Sequence, residues 1–152
     1  MVQQQVDKNG SDESFGIVPL HGNDGEFLFL LIQQKEGAWG FPKGHPQNNE
    51  NELETARREL LEETKIIDIQ IIEGPFFIER YEAEHDGITI DKTVKYFLAR
   101  VPETKVTIDH SEIIGYGWFT YEESLDLVKY ESRKNIIREA KEYADKHFEK
   151  TL

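Results

Sequence analysis

Apolar residues recur along this chain with two periods, and the changes from one to the other lay out its elements in order. Phe15 to Leu20 reads as a strand and His21 to Gly25 as a turn. Phe27 to Gln34 is a second strand, so apolar that both of its faces are expected to be covered. Lys35 to Asn51 is punctuated by glycine, proline and asparagine, which predicts a long ordered loop rather than a regular element. Helical spacing begins at Glu52 and runs to Lys65: Leu53, Ala56 and Leu60 form a narrow apolar stripe, Asn51 can cap the start, and Glu54 stands in capping-box position. Strands are expected over Ile66 to Ile72, Phe76 to Glu84 and Thr93 to Val101, with turns near Gly74 and at Asp86 to Gly87. A polar connection containing Glu112 leads to a short strand, Tyr116 to Phe119. Two helices follow, Glu122 to Val128 and Glu131 to Phe148, the second spaced so that Ile136, Ile137, Ala140, Tyr143, Ala144 and His147 share one buried face.

A mixed sheet between helices buries every one of these stripes, so the expected fold class is α+β, layered as an α/β/α sandwich. Met1 to Glu13, polar and opening with three glutamines in a row, is expected to be a flexible segment, with residues 14–150 forming a single domain. No internal repeat, low-complexity core or linker divides the chain, and 152 residues with 38% hydrophobic side chains suit one core.

Charge narrows the function. Thirty acidic against 18 basic side chains give a net charge of −12, which opposes sequence-independent binding of extended nucleic acid. A small polyanion handled through a metal ion remains compatible, because the ion supplies the positive charge locally. The absence of cysteine excludes disulfides, thiolate nucleophiles and cysteine-based zinc sites. Residues Met1 to Ser14 contain no signal-like apolar core, and the longest apolar run, Phe27 to Ile32, is too short to span a bilayer. A soluble cytoplasmic protein, with no membrane partner and a monomer as the working assumption, is the default expectation.

The densest chemistry is Arg58-Glu59-Leu60-Leu61-Glu62-Glu63. A helix turns about 100° per residue, so Glu59 and Glu63 stack one turn apart with Glu62 in the same broad sector. Such carboxylates repel each other in water, and a hard cation such as Mg²⁺ reverses the sign of that energy. Arg58 stands one turn before Glu62 and can hold carboxylates in place by charge-assisted hydrogen bonds. Taken alone, the segment is equally readable as an acidic solvent-facing surface. Upstream residues change that balance. Gly44 precedes Glu50 by five intervening residues, and seven more lead to Arg58-Glu59, then Leu60, Glu62-Glu63 and Ile66. This pattern resembles the Nudix box, and the one departure is Lys65, where the family has glycine. A non-glycine residue there takes a left-handed backbone at a cost of roughly 1 kcal/mol or ends the helix differently.

The resemblance implies a Nudix fold and a hydrolase that uses Mg²⁺, with Mn²⁺ as a substitute, on a phosphoanhydride. It implies metal binding by Glu59 and Glu63, by Glu62 directly or through water, by Glu50 at the loop edge and by Glu112 as ligand or general base. Glu59, Glu62, Glu63, Glu112 and the organising Arg58 then make up the catalytic set. Trp39-Gly40-Phe41-Pro42-Lys43-Gly44-His45, Lys92 to Ala99 and Gly117-Trp118-Phe119 are similar to the asymmetrical diadenosine tetraphosphate hydrolase branch, over most of Phe15 to Lys146. That branch implies a small nucleoside polyphosphate substrate, split into ATP and AMP. Lys43, Gly44 and Lys92 can meet phosphates. His45 can donate to phosphate or simply face solvent in a turn. Tyr81 and Tyr130 can stack on adenine or serve as packing aromatics. Trp39 and Phe41 can plug the sheet. Two other functions stay open: hydrolysis of another nucleoside diphosphate derivative or of an RNA 5′ pyrophosphate, and a non-catalytic nucleotide-binding regulatory module.

Overall fold

The computed structural model describes residues 11–23 and 26–148. Its elements in order are β1 (Ser11–Asn23), β2 (Glu26–Gln34), β3 (Trp39–Gly40), β4 (Lys43–Gly44), α1 (Glu52–Thr64), β5 (Gln70–His85), β6 (Ile88–Arg100), β7 (Ile113–Phe119), α2 (Tyr121–Leu127) and α3 (Glu131–His147). The described strands form one mixed sheet in the order β3-β2-β1-β6-β5, with β4 paired to β1 and β7 to β2. β1 and β6 run parallel from Ser11 opposite Asp91 to Leu20 opposite Arg100, and the other pairings are antiparallel. Alternate residues of the central strands feed two cores. Val18, Leu20, Phe29, Leu31, Val94, Tyr96 and Leu98 pack with Ile136, Ile137, Ala140 and Ala144 of α3. Ile17, Leu30 and Ala99 pack on the opposite face with Ala56 and Leu60 of α1. The expected layering of helices on both faces is therefore present, and β2 is covered on both sides because each of its pleat faces has its own helix.

Several boundaries differ from the pattern in the sequence. Residues 1–10 of the expected flexible segment lie outside the described residues, but Ser11 to Glu13 belong to β1, where pairing with Asp91 to Thr93 holds polar side chains in a strand. His21 to Asn23, expected in a turn, instead pair with β2, and His21 Nδ1 lies 2.8 Å from the Val101 carbonyl oxygen; the rest of that expected turn, Asp24 and Gly25, lies outside the described residues. Lys35 to Asn51 is not wholly irregular: β3 and β4 pin it to β2 and β1. Ile66 to Ile69 is not strand; Ile66 folds into the core beside α1 while Ile67 is exposed. The turn near Gly74 is an irregularity inside one long β5, between Ile71 and Phe76. Asp86 and Gly87 both take positive φ, as a tight hairpin turn requires. On α3, His147 is exposed rather than core and stacks on Tyr143, whereas Arg133, one turn before Ile136 and Ile137, is buried.

α1 positions the site, and its ends show why it stops where it does. Asn51 accepts from the Glu54 backbone N–H while Glu54 accepts from Asn51, the reciprocal capping box expected from the sequence. At the other end Lys65 adopts φ 64°, ψ 14°, and its N–H donates to the Leu61 carbonyl. The lysine thus holds the left-handed backbone that glycine takes more cheaply. Lys65→Gly is expected to raise unfolding stability by roughly 1 kcal/mol through relief of that strain, read from urea unfolding; a stability loss of similar size would show that the side chain matters more than the backbone.

Candidate active site

Local geometry around α1 is organised by Arg58. Its Nε donates to Glu50 Oε2 at 2.7 Å, Nη1 to Glu59 Oε1 at 2.9 Å and to Glu62 Oε2 at 3.2 Å, and Nη2 to the His45 carbonyl at 2.8 Å. Glu50 is further engaged by Thr55 Oγ1 and the Gln47 N–H, and the hydrogen bonds from Arg58 hold its carboxyl below the usual range. Glu59 lies against Gly44, where an added Cβ would overlap the Glu59 carboxyl. This is the physical need for glycine at the first position of the motif. Glu63, one turn on, is buried; one oxygen accepts weakly from the Lys43 N–H at 3.4 Å, and Oε2 has no hydrogen-bond partner. Glu112 is brought to the same carboxylates by the preceding connection, which is tied to the end of α1 through Thr107 N–H to the Thr64 carbonyl and Asp109 N–H to the Glu63 carbonyl.

Burial first, and neighbouring carboxylates second, disfavour the charged forms of Glu59 and Glu63. Desolvation, then the neighbouring Glu62 and Glu112 charges, raise Glu59 to about 7 even against Arg58. Glu63 is raised well above its ordinary value by burial first and the Glu59 charge second. Among the described residues no three His, Asp or Glu side chains form a ready-made ligand cluster. The donor set nevertheless fits a hard divalent ion: all ligating atoms available are carboxylate oxygens, one of them buried and unpartnered.

A cleft of about 870 Å³ collects the rest. Lys43, Gly44, His45, Tyr81, Lys92 and Tyr130 all line it together with Glu59, Glu62, Glu63 and Glu112, so every residue expected to touch substrate shares one space with the acids. Tyr81 and Lys92 are direct cross-strand partners on β5 and β6, and Asp12 of β1 is the partner of Lys92 on its other side. Desolvation lowers the Lys43 amine below its ordinary value, with Arg133 adding to the effect. His45 does not simply face solvent: its Nε2 is 2.6 Å from Asp12 Oδ1. Phe41 is core and Trp39 packs against it, edge-on to Phe119, which gives both the structural role.

Three polar residues escaped the reading of the sequence. Glu79 is fully buried and accepts from Tyr96 Oη at 2.9 Å, Ser132 Oγ at 3.1 Å and Arg133 Nε at 3.2 Å. Arg133 also donates to the Trp39 carbonyl and lies 5.4 Å from the centre of the Tyr130 ring, at the cleft wall. Asp12 is the third. Helical spacing ahead of Ile136 marked Arg133, and alternation between Phe77 and Tyr81 marked Glu79.

This fold and cleft define a Nudix protein, and residues 10–140 match the family model described as NUDIX domain: the chain belongs to that family. Family membership carries Mg²⁺-dependent hydrolysis of phosphoanhydride bonds in nucleoside phosphates. The chain is similar to the asymmetrical bis(5′-nucleosyl)-tetraphosphatase of Mus musculus, 38% identical over 120 residues that cover 76% of this chain and 79% of that protein. It is also similar to the RNA pyrophosphohydrolase of Pelagibacter ubique, 27% identical over 138 residues, covering 84% and 87%. The C. elegans Ap4A hydrolase binary complex superposes with a TM-score of 0.77 at 28% identity, covering 86% of this chain and 96% of that one. No helix among the described residues is long and apolar enough to cross a membrane.

Two outcomes follow from the geometry. Gly44→Ala is expected to displace the Glu59 carboxyl and lower turnover by on the order of a hundredfold, a scale that a misplaced catalytic group of about 1 Å produces, with the circular-dichroism spectrum unchanged; near-normal kcat would sink the packing argument. The second concerns pH. Glu59 in the folded protein keeps a proton that the unfolded chain releases near 4.5, so its contribution to stability is complete below 4.5 and is lost as pH rises through about 7, with Glu63 acting in the same direction. Metal-free protein should therefore melt at a lower temperature at pH 7.5 than at pH 5, and saturating Mg²⁺ should shrink the difference.

Proposed function

We propose that this protein hydrolyses diadenosine tetraphosphate asymmetrically, to ATP and AMP. The observation that carries the reading is the composition of one cleft: Glu59, Glu62, Glu63 and Glu112 share it with Lys43, His45, Lys92 and Arg133 and with the two tyrosines, Tyr81 and Tyr130. A cluster of acids alone repels phosphate and a cluster of bases alone has no way to hold a divalent ion. Together they suit a polyphosphate with an aromatic base attached. The likeness to tetraphosphatases named for this reaction supports the same substrate.

Glu59 and Glu63 are assigned as the principal metal ligands, with Glu62 and Glu112 completing the set. A divalent cation held there supplies positive charge at the phosphoryl oxygens and lowers the pKa of water. Arg58 holds the half-buried Glu59 at 2.9 Å and the exposed Glu62 more loosely at 3.2 Å. Glu50 keeps Arg58 and the loop together through both oxygens, with Oε2 the less engaged of the two and so the one available to the ion. Glu112, exposed at the cleft edge and near Glu59 and Glu63, is assigned as the proton acceptor for the attacking water. Lys43 and Lys92 neutralise phosphates beyond the scissile bond, and Tyr81 and Tyr130 offer flat surfaces to adenine. Removal of pyrophosphate from RNA 5′ ends draws on the same acids and on the likeness to the Pelagibacter ubique protein. It has less support here because the net charge of −12 repels a long polyanion.

Supplied with Mg²⁺ and diadenosine tetraphosphate, diadenosine triphosphate, oxidised deoxyguanosine triphosphate or triphosphorylated RNA, the protein is expected to release ATP and AMP from the first faster than it consumes the others. Pyrophosphate release from RNA as the fastest reaction would replace the proposal. Glu63→Gln is expected to cut turnover by about a hundredfold or more, in line with removal of a group that acts on transition-state charge, yet to raise the melting temperature of metal-free protein at neutral pH, because an amide can be buried without the proton uptake that burial imposes on Glu63. Unchanged turnover would reject the ligand assignment.

A further inference from the structure

Tyr130 lines the cleft with its ring 52% exposed. An aromatic so placed keeps one orientation only if something backs it. Arg133 does so: its guanidinium carbon lies 5.4 Å from the centre of the Tyr130 ring, within the range at which a cation is attracted to a π face. The two residues are one turn apart at the start of α3, where the Arg133 N–H donates to the Tyr130 carbonyl at 3.0 Å. One face of the ring is thereby covered by the protein's own cation, and the exposed remainder is turned to the cleft.

The guanidinium is itself aimed. Glu79, with a fully buried side chain, accepts from Nε at 3.2 Å, and the Trp39 carbonyl accepts from Nη1 at 3.1 Å. Tyr96 and Ser132 donate to the same carboxylate, so it cannot turn. Gly40 leaves the room required: a Cβ there would stand 3.0 Å from Nη1 and 3.2 Å from Cδ. β5 also brings Tyr81, two residues after Glu79 and on the same strand face, into the cleft. A buried ion pair commonly contributes no more to stability than well-packed apolar side chains of the same volume. The fold alone therefore does not account for a planar cation held at two corners beneath a cleft aromatic. A lysine would keep the charge but offers neither a plane to lie against the ring nor a second nitrogen for Trp39.

We propose that Glu79 and Arg133 are positioning residues for the nucleobase: Glu79 aims the guanidinium, the guanidinium backs the Tyr130 ring, and the open face of that ring receives the base. The proposal rests on the hydrolase reading above for the class of ligand, a nucleotide. Removing the planar support weakens ground-state binding of ligands that carry a base. Ligands made of phosphate groups alone, and the acid cluster on α1, are unaffected.

The test uses the full chain, Mg²⁺ and two probes that contain no phosphoanhydride: AMP, which carries the base, and methylenediphosphonate, which does not. Arg133→Lys keeps the charge beside Glu79 without the plane. It is expected to weaken AMP binding about fivefold, the scale of a cation–π contact, while methylenediphosphonate affinity stays within about twofold. Gly40→Ala crowds the guanidinium with every charge in place and is expected to show the same selectivity at about threefold, which keeps the comparison open should the lysine variant fail to fold. The adenine ring protons of bound AMP are expected to move upfield, as stacking on a ring dictates, and to move less in both variants. With the dinucleotide the loss should fall on KM, with kcat within about twofold. In a Tyr130→Leu background the Arg133 change should cost AMP less than about twofold, since its route of action is gone. Equal losses for the two probes overturn the proposal and make Arg133 a direct phosphate contact. A full fivefold cost that persists without Tyr130 also overturns it. So does a lower melting temperature with unaltered AMP affinity, which leaves the pair to the fold alone. Failure of the parent protein to bind AMP rejects the base site, whereas the hydrolase reading is decided separately by product release from the dinucleotide.

Discussion

Everything at this site depends on how Arg58 divides one positive charge among several negative ones. Its planar fork reaches Glu50, Glu59, Glu62 and the His45 carbonyl at once, a geometry that a lysine ammonium cannot reproduce. Glu63 makes its one described hydrogen bond elsewhere, to the Lys43 N–H, and keeps a bare buried oxygen. The folded protein thus retains an electrostatic debt in one place while neutralising the neighbours. Like charges on adjacent turns cost a few tenths of a kcal/mol in water and more out of it. A divalent ion at that spot relieves the repulsion, so the same residues that weaken the resting fold favour occupancy by the ion.

The part of this arrangement that is local in sequence was legible in the sequence. Capping of α1, the stacking of Glu59 on Glu63 and the reach of Arg58 to Glu62 all follow from helical spacing, and the structure shows that geometry. Lys65 was legible as a difficulty and took the left-handed backbone itself. What lay hidden depends on contacts distant along the chain. Ser11 to Glu13 look like a loose end until β6 lies beside them, and Asp12 finds His45 33 positions away. Glu79 and Arg133, 54 positions apart, each look like surface charges until they meet. The run of isoleucines from Ile66 misled for the opposite reason: apolar residues near a helix end need only a core to enter, with no partner strand.

The two walls of the cleft differ in stiffness because they are stabilised differently. Glu79 is satisfied by Tyr96, Ser132 and Arg133, and Arg133 reaches on to Trp39, so β5, β6, α3 and β3 are tied through a dry polar knot. Loss of Glu79 removes the partner shared by the buried Tyr96 hydroxyl and the Arg133 Nε, which is more costly than the pairing is favourable. Glu62 and Glu112, by contrast, are exposed and can turn without breaking a core. Rigid bases and movable acids suit a polyanion whose charge is first recognised and then rearranged.

The parallel pairing of β1 with β6 also bears on the order in which the molecule is made. β1 leaves the ribosome long before residues 88–100 exist, and until they do its parallel edge is open and Asp12 has neither Lys92 nor the rest of its enclosure. Hairpins such as β5 with β6 can form as soon as they emerge, whereas this central seam must close a loop of some length against chain entropy. A nascent chain that ends before β6 therefore carries β1 with its parallel edge unpaired, the kind of edge on which chains associate wrongly.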